Sequence, residues 1–337
     1  MKPPVDRPVP AEGRLALVTG AGGFIGSRLA ERLVAAGWQV RAFVRYGAEG
    51  NVGGLKALVA AAADRVQVHR GDIMDVESVA RATDGVDTVF HLAARISIPY
   101  SYEAPRDTFH VNALGTLNVL EAAQQAGIRR LVHTSTSEVF GSAVTLPMAE
   151  THRLKGQSPY AASKIAADKL VESYVCAFGL PAVVVRPFNT YGPGQSPRAV
   201  IPAVIQQALA GGPVRLGTLT PRRDFTFVDD TVDGMIRAAL ADGVIGREIN
   251  LGTGQDIAIG ELAERIIALV GQPCEIVAAA ERMRPAASEV DRLCSDNRLA
   301  GQLLDWRPRV SLEEGLSRTI AWWRGDRERF DWRGYAV

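Results

Sequence analysis

Tyr160 and Lys164 stand four residues apart in the run Ser158-Pro159-Tyr160-Ala161-Ala162-Ser163-Lys164. On a helix, positions i and i+4 share one face, so the phenol and the ammonium can point into one pocket. A nearby ammonium favours the phenolate and is expected to lower the tyrosine pKa. Such a pair could take a proton from a sugar or alcohol hydroxyl near neutral pH. Tyrosine and lysine at this spacing also occur on ordinary surface helices, so the pair gains meaning only from the elements that position it.

The first of these elements is a glycine turn. Leu15-Ala16-Leu17-Val18-Thr19 predicts a short buried parallel strand. Gly20-Ala21-Gly22-Gly23-Phe24-Ile25-Gly26 follows directly, and residues 27–37 carry helical periodicity up to a glycine stop. Strand, glycine turn and helix come in the order that holds a dinucleotide pyrophosphate. Glycines permit close backbone approach, and the helix N-terminus faces the negative charge. The glycines at 20, 23 and 26 give GxxGxxG spacing in place of the GxGxxG fingerprint.

Gln39-Val40-Arg41-Ala42-Phe43-Val44-Arg45 predicts a second strand, near whose end cofactor choice is read. An acidic residue there would accept from the ribose 2′-hydroxyl. Arg45 stands there instead and could hold a 2′-phosphate, so NAD and NADP both stay open. A third strand over residues 65–73 ends with Asp72 placed for the adenine. A fourth over residues 86–94 runs into Ala93 and Ala94, small enough to let a cofactor lie close to the backbone.

Several ordered motifs together make the chain resemble the extended short-chain dehydrogenase/reductases of the NAD-dependent epimerase/dehydratase group, from Leu15 to about Trp323. They are the turn from Gly20 to Gly26, Asp72-Ile73, His91-Leu92-Ala93-Ala94, Asn112-Ala113-Leu114-Gly115-Thr116, Thr134-Ser135-Thr136-Ser137-Glu138-Val139-Phe140-Gly141, Tyr160 with Lys164, and Arg186-Pro187-Phe188-Asn189. The resemblance implies a Rossmann-type α/β fold, a doubly wound parallel sheet with a smaller C-terminal substrate-binding lobe. It implies NAD(P)+ tightly bound and recycled. The cofactor-binding set would be Gly20, Gly23, Phe24, Ile25, Gly26, Arg45, Asp72, Ile73, Leu92, Ala93, Ala94, Asn112, Tyr160, Lys164 and Pro187. Ser97, Thr136, Asn189, Arg223 and Arg284 would bind substrate.

Residues 131–136 predict a strand with hydroxyls at its carboxyl end, where open α/β sheets place ligands. Thr136 is expected to bond the substrate hydroxyl that Tyr160 deprotonates. Glu138 narrows the class. In the family's nucleotide-sugar 4,6-dehydratases a glutamate here takes the proton from carbon 5 after oxidation at carbon 4, hydroxide leaves carbon 6, and hydride returns to carbon 6. The dTDP-glucose dehydratases have an aspartate before this glutamate; here it is Ser137, in an order that resembles GDP-mannose 4,6-dehydratases and also occurs in UDP-glucuronate decarboxylases. The acid at carbon 6 stays open, as do decarboxylation and plain 4-epimerisation. A dinucleotide-sensing module is the non-enzyme alternative, but such modules typically lose the tyrosine or lysine.

Residues 216–225, Arg284-Pro285 and residues 289–296 resemble the matching segments of GDP-mannose dehydratases. Arg223 and Arg284 are candidates for the nucleotide diphosphate, because a planar guanidinium matches phosphate oxygens. Residues 98–102, 156–160 and 187–193 resemble a bacterial subgroup of 4,6-dehydratases acting on nucleotide-linked N-acetylglucosamine, which feeds legionaminic-acid-type sugars. UDP- or GDP-linked N-acetylglucosamine or a related hexose is therefore the expected substrate. Residues 112–127 and 159–178 predict helices apolar on more than one face, which need a second partner. In the family these two helices pair across a two-fold axis as a four-helix bundle, which implies a homodimer.

The 337 residues are 47% hydrophobic and carry a formal net charge of +1. No basic excess points to nucleic acid, and no apolar run is long enough to span a bilayer. Cys176, Cys274 and Cys294 are scattered, form no metal spacing, and fit buried thiols in a reducing cytoplasm. Residues 1–13 are expected to be a flexible arm without a signal peptide, and 324–337 a tail. Residues 14–180 form the expected dinucleotide-binding domain, with returning segments near 181–190 and 225–252. Residues 191–224 and 253–323 form the substrate-binding lobe.

Overall fold

A computed structural model describes residues 13–46 and 52–325. The expected arm, apart from Gly13, and residues 326–337 of the expected tail lie outside the described residues. Seven parallel strands make the central sheet: β1 (Leu15–Thr19), β2 (Gln39–Arg45), β3 (Val66–Gly71), β4 (Thr88–His91), β5 (Arg130–Thr134), β6 (Ala182–Pro187) and, from much later in the chain, a strand at Glu248–Leu251. The order across the sheet runs from that late strand through β6, β5, β4, β1 and β2 to β3. The late strand pairs with β6, Glu248 opposite Val184 and Leu251 opposite Pro187. β1, β4 and β6 are near-continuous apolar runs because both faces of the sheet are covered.

Helices α1 (Phe24–Ala35), α2 (Lys56–Ala61), α3 (Val76–Thr83), α4 (Ile98–Glu103), α5 (Pro105–Phe109), α6 (Gly115–Ala126) and α7 (Pro159–Phe178) link the strands. α3, α6 and α7 cover one face, burying Val79, Leu120 and Val171 against Leu17, Val89 and Leu131. α1 and a later helix at Val228–Leu240 cover the other. α7 is capped by the Ser158 side chain, which accepts from the Ala161 N–H, carries proline in its first turn, and ends at Gly179 in the left-handed region (φ 67°). The helix expected over residues 112–127 begins instead as a π-helical turn (His110–Leu114) that feeds α6.

The smaller lobe consists of short strand pairs and the helices at Val200–Leu209, Ile259–Val270 and Leu312–Gly325. Its apolar residues, among them Ile205, Leu262 and Leu316, belong to the same cluster that covers the α1 face of the sheet. The last helix runs on through Arg324, whose guanidinium donates to the Val270 carbonyl at 2.9 Å. Of the cysteines, Cys294 is buried, Cys274 half-buried and Cys176 exposed, so the expectation of three buried thiols holds for one. No helix among the described residues is long and apolar enough to cross a membrane.

The helix at Val228–Leu240 sits close to the late strand through Gly234. A Cβ there would lie 2.8 Å from both Leu251 methyls and 3.2 Å from Trp306 Nε1. Gly234→Ala should therefore destabilise the fold by about 1–3 kcal/mol through overpacking. Urea unfolding of the variant beside the wild type measures this, and an unchanged midpoint would contradict the packing.

Candidate active site

The carboxyl ends of β1, β4, β5 and β6 open into one cleft of about 1340 Å³ between the sheet and the smaller lobe. Gly20, Gly23, Phe24, Ile25, Gly26, Arg45, Asp72, Ile73, Leu92, Ala93 and Ala94 line it, as do Ser97, Asn189, Arg223 and Arg284. Thr136, Ser137, Glu138, Tyr160, Lys164 and Pro187 lie along the same lining.

The glycine turn is built for a close-lying ligand. Gly20 has φ 70°, and a Cβ on it would sit 2.9 Å from the Ala93 nitrogen. A Cβ on Gly26 would sit 2.3 Å from the Gly20 carbonyl oxygen. No side chain caps the N-terminus of α1 and no acidic residue stands in its first turn, so its N–H groups face the cleft uncovered by side chains. These features fit a dinucleotide pyrophosphate.

Behind the turn lies a polar chain whose direction can be worked out. The Thr116 hydroxyl donates to the Asn112 carbonyl at 2.6 Å and therefore accepts from His91 Nε2 at 2.9 Å. His91 Nδ1 then accepts from the Thr19 hydroxyl at 2.8 Å, whose oxygen receives the Leu92 and Ala93 N–H groups at 3.1 Å each. This chain fixes the floor of the cleft. His91 belongs to the quoted motif, yet nothing in its spacing reveals the task.

Asn112 does not line the cleft, which corrects its expected place among the cofactor contacts. It is buried, and both its donors and its oxygen are bonded to protein. Its Oδ1 accepts from the Arg95 N–H at 2.7 Å, and its Nδ2 donates to the Arg95 carbonyl at 3.0 Å and the Ser163 hydroxyl at 2.9 Å. Ser163 in turn donates to the Tyr160 carbonyl at 2.7 Å. Asn112 thus ties the loop after β4 to the first turn of α7.

Thr136 is not in β5 but caps the short 3-10 turn at Ser137–Phe140, its hydroxyl accepting from the Glu138 N–H at 3.2 Å. Ser137 is buried and Glu138 half-buried. Tyr160 and Lys164 are both buried. The expectation that the ammonium lowers the phenol is corrected. Burial pushes the Tyr160 phenol above its ordinary value, opposed by a hydrogen bond from Thr136, with the Glu138 and Asp168 carboxylates adding to the rise. The Lys164 ammonium is instead engaged by the Thr134 carbonyl at 2.8 Å, and burial pulls it down to about 8.

Arg223 and Arg284 do converge, but on a carboxylate that the sequence did not single out. Both donate to Glu289 Oε1, at 3.1 and 3.4 Å. Asn189 Oδ1 is buried with no hydrogen-bond partner among the described residues. Ser97 caps α4 through the Tyr100 N–H. Among the described residues no cluster of His, Cys, Asp or Glu is arranged to hold a metal.

Fold and cleft define an extended short-chain dehydrogenase/reductase of the nucleotide-sugar dehydratase and epimerase class. A family model described as GDP-mannose 4,6 dehydratase matches residues 17–319, and the chain belongs to that family. It is 35% identical over 314 residues to a UDP-glucose 4-epimerase of Mycolicibacterium smegmatis, covering 91% of this chain and 98% of that one. It is 35% identical over 327 residues to a dTDP-glucose 4,6-dehydratase of Actinoplanes sp., covering 92% and 98%. The solved dTDP-glucose 4,6-dehydratase DesIV of Streptomyces venezuelae, a double mutant with NAD bound, superposes with a TM-score of 0.83 at 32% identity, covering 93% and 97%.

Two buried histidines give the site a pH signature. Burial, helped by the Lys164 charge, pulls His133 down to about 4, and burial likewise pulls His91 well down. An unfolded imidazole takes its proton near about pH 6.5. Between those values the unfolded state binds more protons, so stability is full above about pH 6.5 and falls as pH drops toward 4. Urea midpoints should decline over this window. His133→Asn, which cannot titrate, should recover roughly 1–2 kcal/mol of the decline at pH 5 relative to pH 7. An unaltered slope in the variant would show that His133 is protonated in the fold.

Proposed function

We propose that this chain is a nucleotide-sugar 4,6-dehydratase forming an NDP-4-keto-6-deoxyhexose, with NAD(P)+ held along the glycine turn. The observation that carries the reading is Glu138, set by the 3-10 turn beside Thr136 and close enough to Tyr160 for its charge to raise the phenol. Gly20, Gly23, Gly26, Ala93 and the α1 N-terminus would hold the pyrophosphate, and Arg45 the adenosine ribose or its 2′-phosphate. When bound, the cofactor supplies a hydride acceptor that is regenerated within each turnover.

Tyr160 takes the proton from the carbon-4 hydroxyl, with Thr136 bonding the same oxygen. Lys164 holds positive charge beneath them. The ketone acidifies the proton at carbon 5, Glu138 removes it, and hydroxide departs from carbon 6 with a proton from an acid in the pocket. Ser137 stands where the dTDP-glucose enzymes have an aspartate. Arg223 and Arg284 carry enough N–H donors to bond both Glu289 and a diphosphate. The substrate we propose is UDP- or GDP-linked N-acetylglucosamine or a related hexose, supported by the sequence segments at 98–102, 156–160 and 187–193. The similarity to a 4-epimerase favours a second reading, in which Glu138 has no chemical task.

Product mass spectrometry over UDP-, GDP- and dTDP-linked hexoses separates the two, since dehydration removes water and epimerisation leaves the mass unchanged. Glu138→Gln should retain cofactor binding and lose dehydration about 10²-fold or more, and Tyr160→Phe should lose about 10²–10⁴-fold. Dehydration by Glu138→Gln at the wild-type rate would overturn the assignment.

We also propose a homodimer through α6 and α7. Phe109 at the end of α5, Leu114 in the π-helical turn before α6 and Phe178 at the end of α7 leave 44%, 40% and 57% of their surface exposed. Light scattering at micromolar concentration should give the dimer mass, and Phe109→Glu should shift it toward the monomer. A wild-type monomer would refute the pairing.

A further inference from the structure

We propose that Asp168 is a positioning residue that keeps Lys164 charged and fixes the end of β5 beneath Thr136. The proposal rests on the reading above in that Lys164 serves the reaction, but its geometry stands apart from the choice of substrate. Asp168 follows Lys164 by one helical turn on α7 and is fully buried. Its Oδ2 accepts from the Ser135 hydroxyl at 2.7 Å and from Arg186 Nη2 and Nε at 3.1 and 3.3 Å. Its Oδ1 lies 3.4 Å from His133 Nε2. Ser135 stands between Thr134, whose carbonyl receives the Lys164 ammonium, and Thr136. One carboxylate therefore holds both sides of the place where the lysine meets the strand.

The charges around Lys164 make the carboxylate necessary. His91 faces it from β4 and His133 from β5, both held neutral by burial. Tyr160 lies on its own helix, its phenol pushed above its ordinary value by burial, with the Glu138 carboxylate adding to the rise. Arg186 on β6 is fully buried and divides its guanidinium between Asp168 and Glu248, the latter at 2.7 Å. Among these groups Asp168 is the one whose charge raises the lysine against burial. Without it Arg186 would keep only Glu248, which is 28% exposed, and Lys164 would lose the carboxylate that raises it. A buried ammonium that loses its partner is pushed toward its neutral form, a shift of about 1–3 units for a close opposite charge.

The chain has only five lysines, Lys2, Lys56, Lys155, Lys164 and Lys169, so each can be followed by carbon-13 at Cε in the full-length protein. The Lys164 signal is assigned by its loss in Lys164→Ala. In Asp168→Asn, which keeps the shape and one acceptor oxygen for Ser135 and Arg186, the Lys164 midpoint should fall by about one unit or more. Asp168→Glu, which restores the charge, should bring it back. If the unpaired Arg186 prevents Asp168→Asn from folding, the double variant Asp168→Asn/Arg186→Gln gives the same reading with both charges removed. Where turnover is measured, the alkaline limb of kcat/KM should move down with the midpoint, which a merely structural role would not produce. A Lys164 midpoint unmoved in the folded variant overturns the proposal. A midpoint that moves in a protein that turns over no nucleotide sugar upholds it and refutes the functional reading instead.

Discussion

The chain leaves β3 at one edge of the sheet and re-enters at β4, on the far side of β1. The crevice opened by this reversal decides where every polar group of the cleft can sit. It brings the loops after β1 and β4 so close that a single methyl on Gly20 would meet the Ala93 nitrogen. Once the loops are that near, the backbone N–H groups of Leu92 and Ala93 need an acceptor, and the Thr19 hydroxyl is within reach. Thr19 then orients His91, His91 orients Thr116, and Thr116 meets the carbonyl of Asn112. A constraint on strand order thus propagates through hydrogen bonds to the turn of α7 that carries Tyr160.

The same burial that gives the cleft its shape sets its electrostatics. Water is scarce around Tyr160 and Lys164, so each is pushed toward its neutral form, the phenol up and the ammonium down. What opposes burial is local: the Thr136 hydroxyl for the phenol, the Asp168 carboxylate for the ammonium. The acid–base character of the site therefore depends on second partners as much as on the tyrosine and lysine themselves. Asp168 in turn is held by Arg186, and Arg186 by Glu248 on the strand that returns from the far end of the chain. The late strand is one support of this face of the cleft.

The strands at 15–19 and 39–45 were legible to the residue, because apolar runs bounded by turn signals have few other uses in a parallel sheet. The glycine turn, the tyrosine–lysine pair and the late return at Glu248–Leu251 were legible for a similar reason: their signals are local. The sign of the Tyr160 shift was not, since burial depends on neighbours that no spacing reveals. Asn112 sits in a motif that resembles a cofactor contact, although its partners, Arg95 and Ser163, come from two other elements. Arg223 and Arg284 stand out in sequence, but Glu289, which gathers them, does not, because its role depends on where the two arginines fold. The strand pairs of the smaller lobe, three residues long or less, are too short to carry a period.

As proposed, Glu138 is a base at carbon 5 of a sugar already oxidised at carbon 4. The most direct test is turnover of a nucleotide hexose in deuterium oxide, with the product read by mass spectrometry and proton NMR. A base that lifts the carbon-5 proton exchanges it with solvent. The product should then have lost one water and carry one deuterium at carbon 5 and none at carbon 6, its mass about one unit above that of the water-loss product formed in ordinary water. A product of unchanged mass, isomerised at carbon 4 and free of deuterium at carbon 5, would contradict the account.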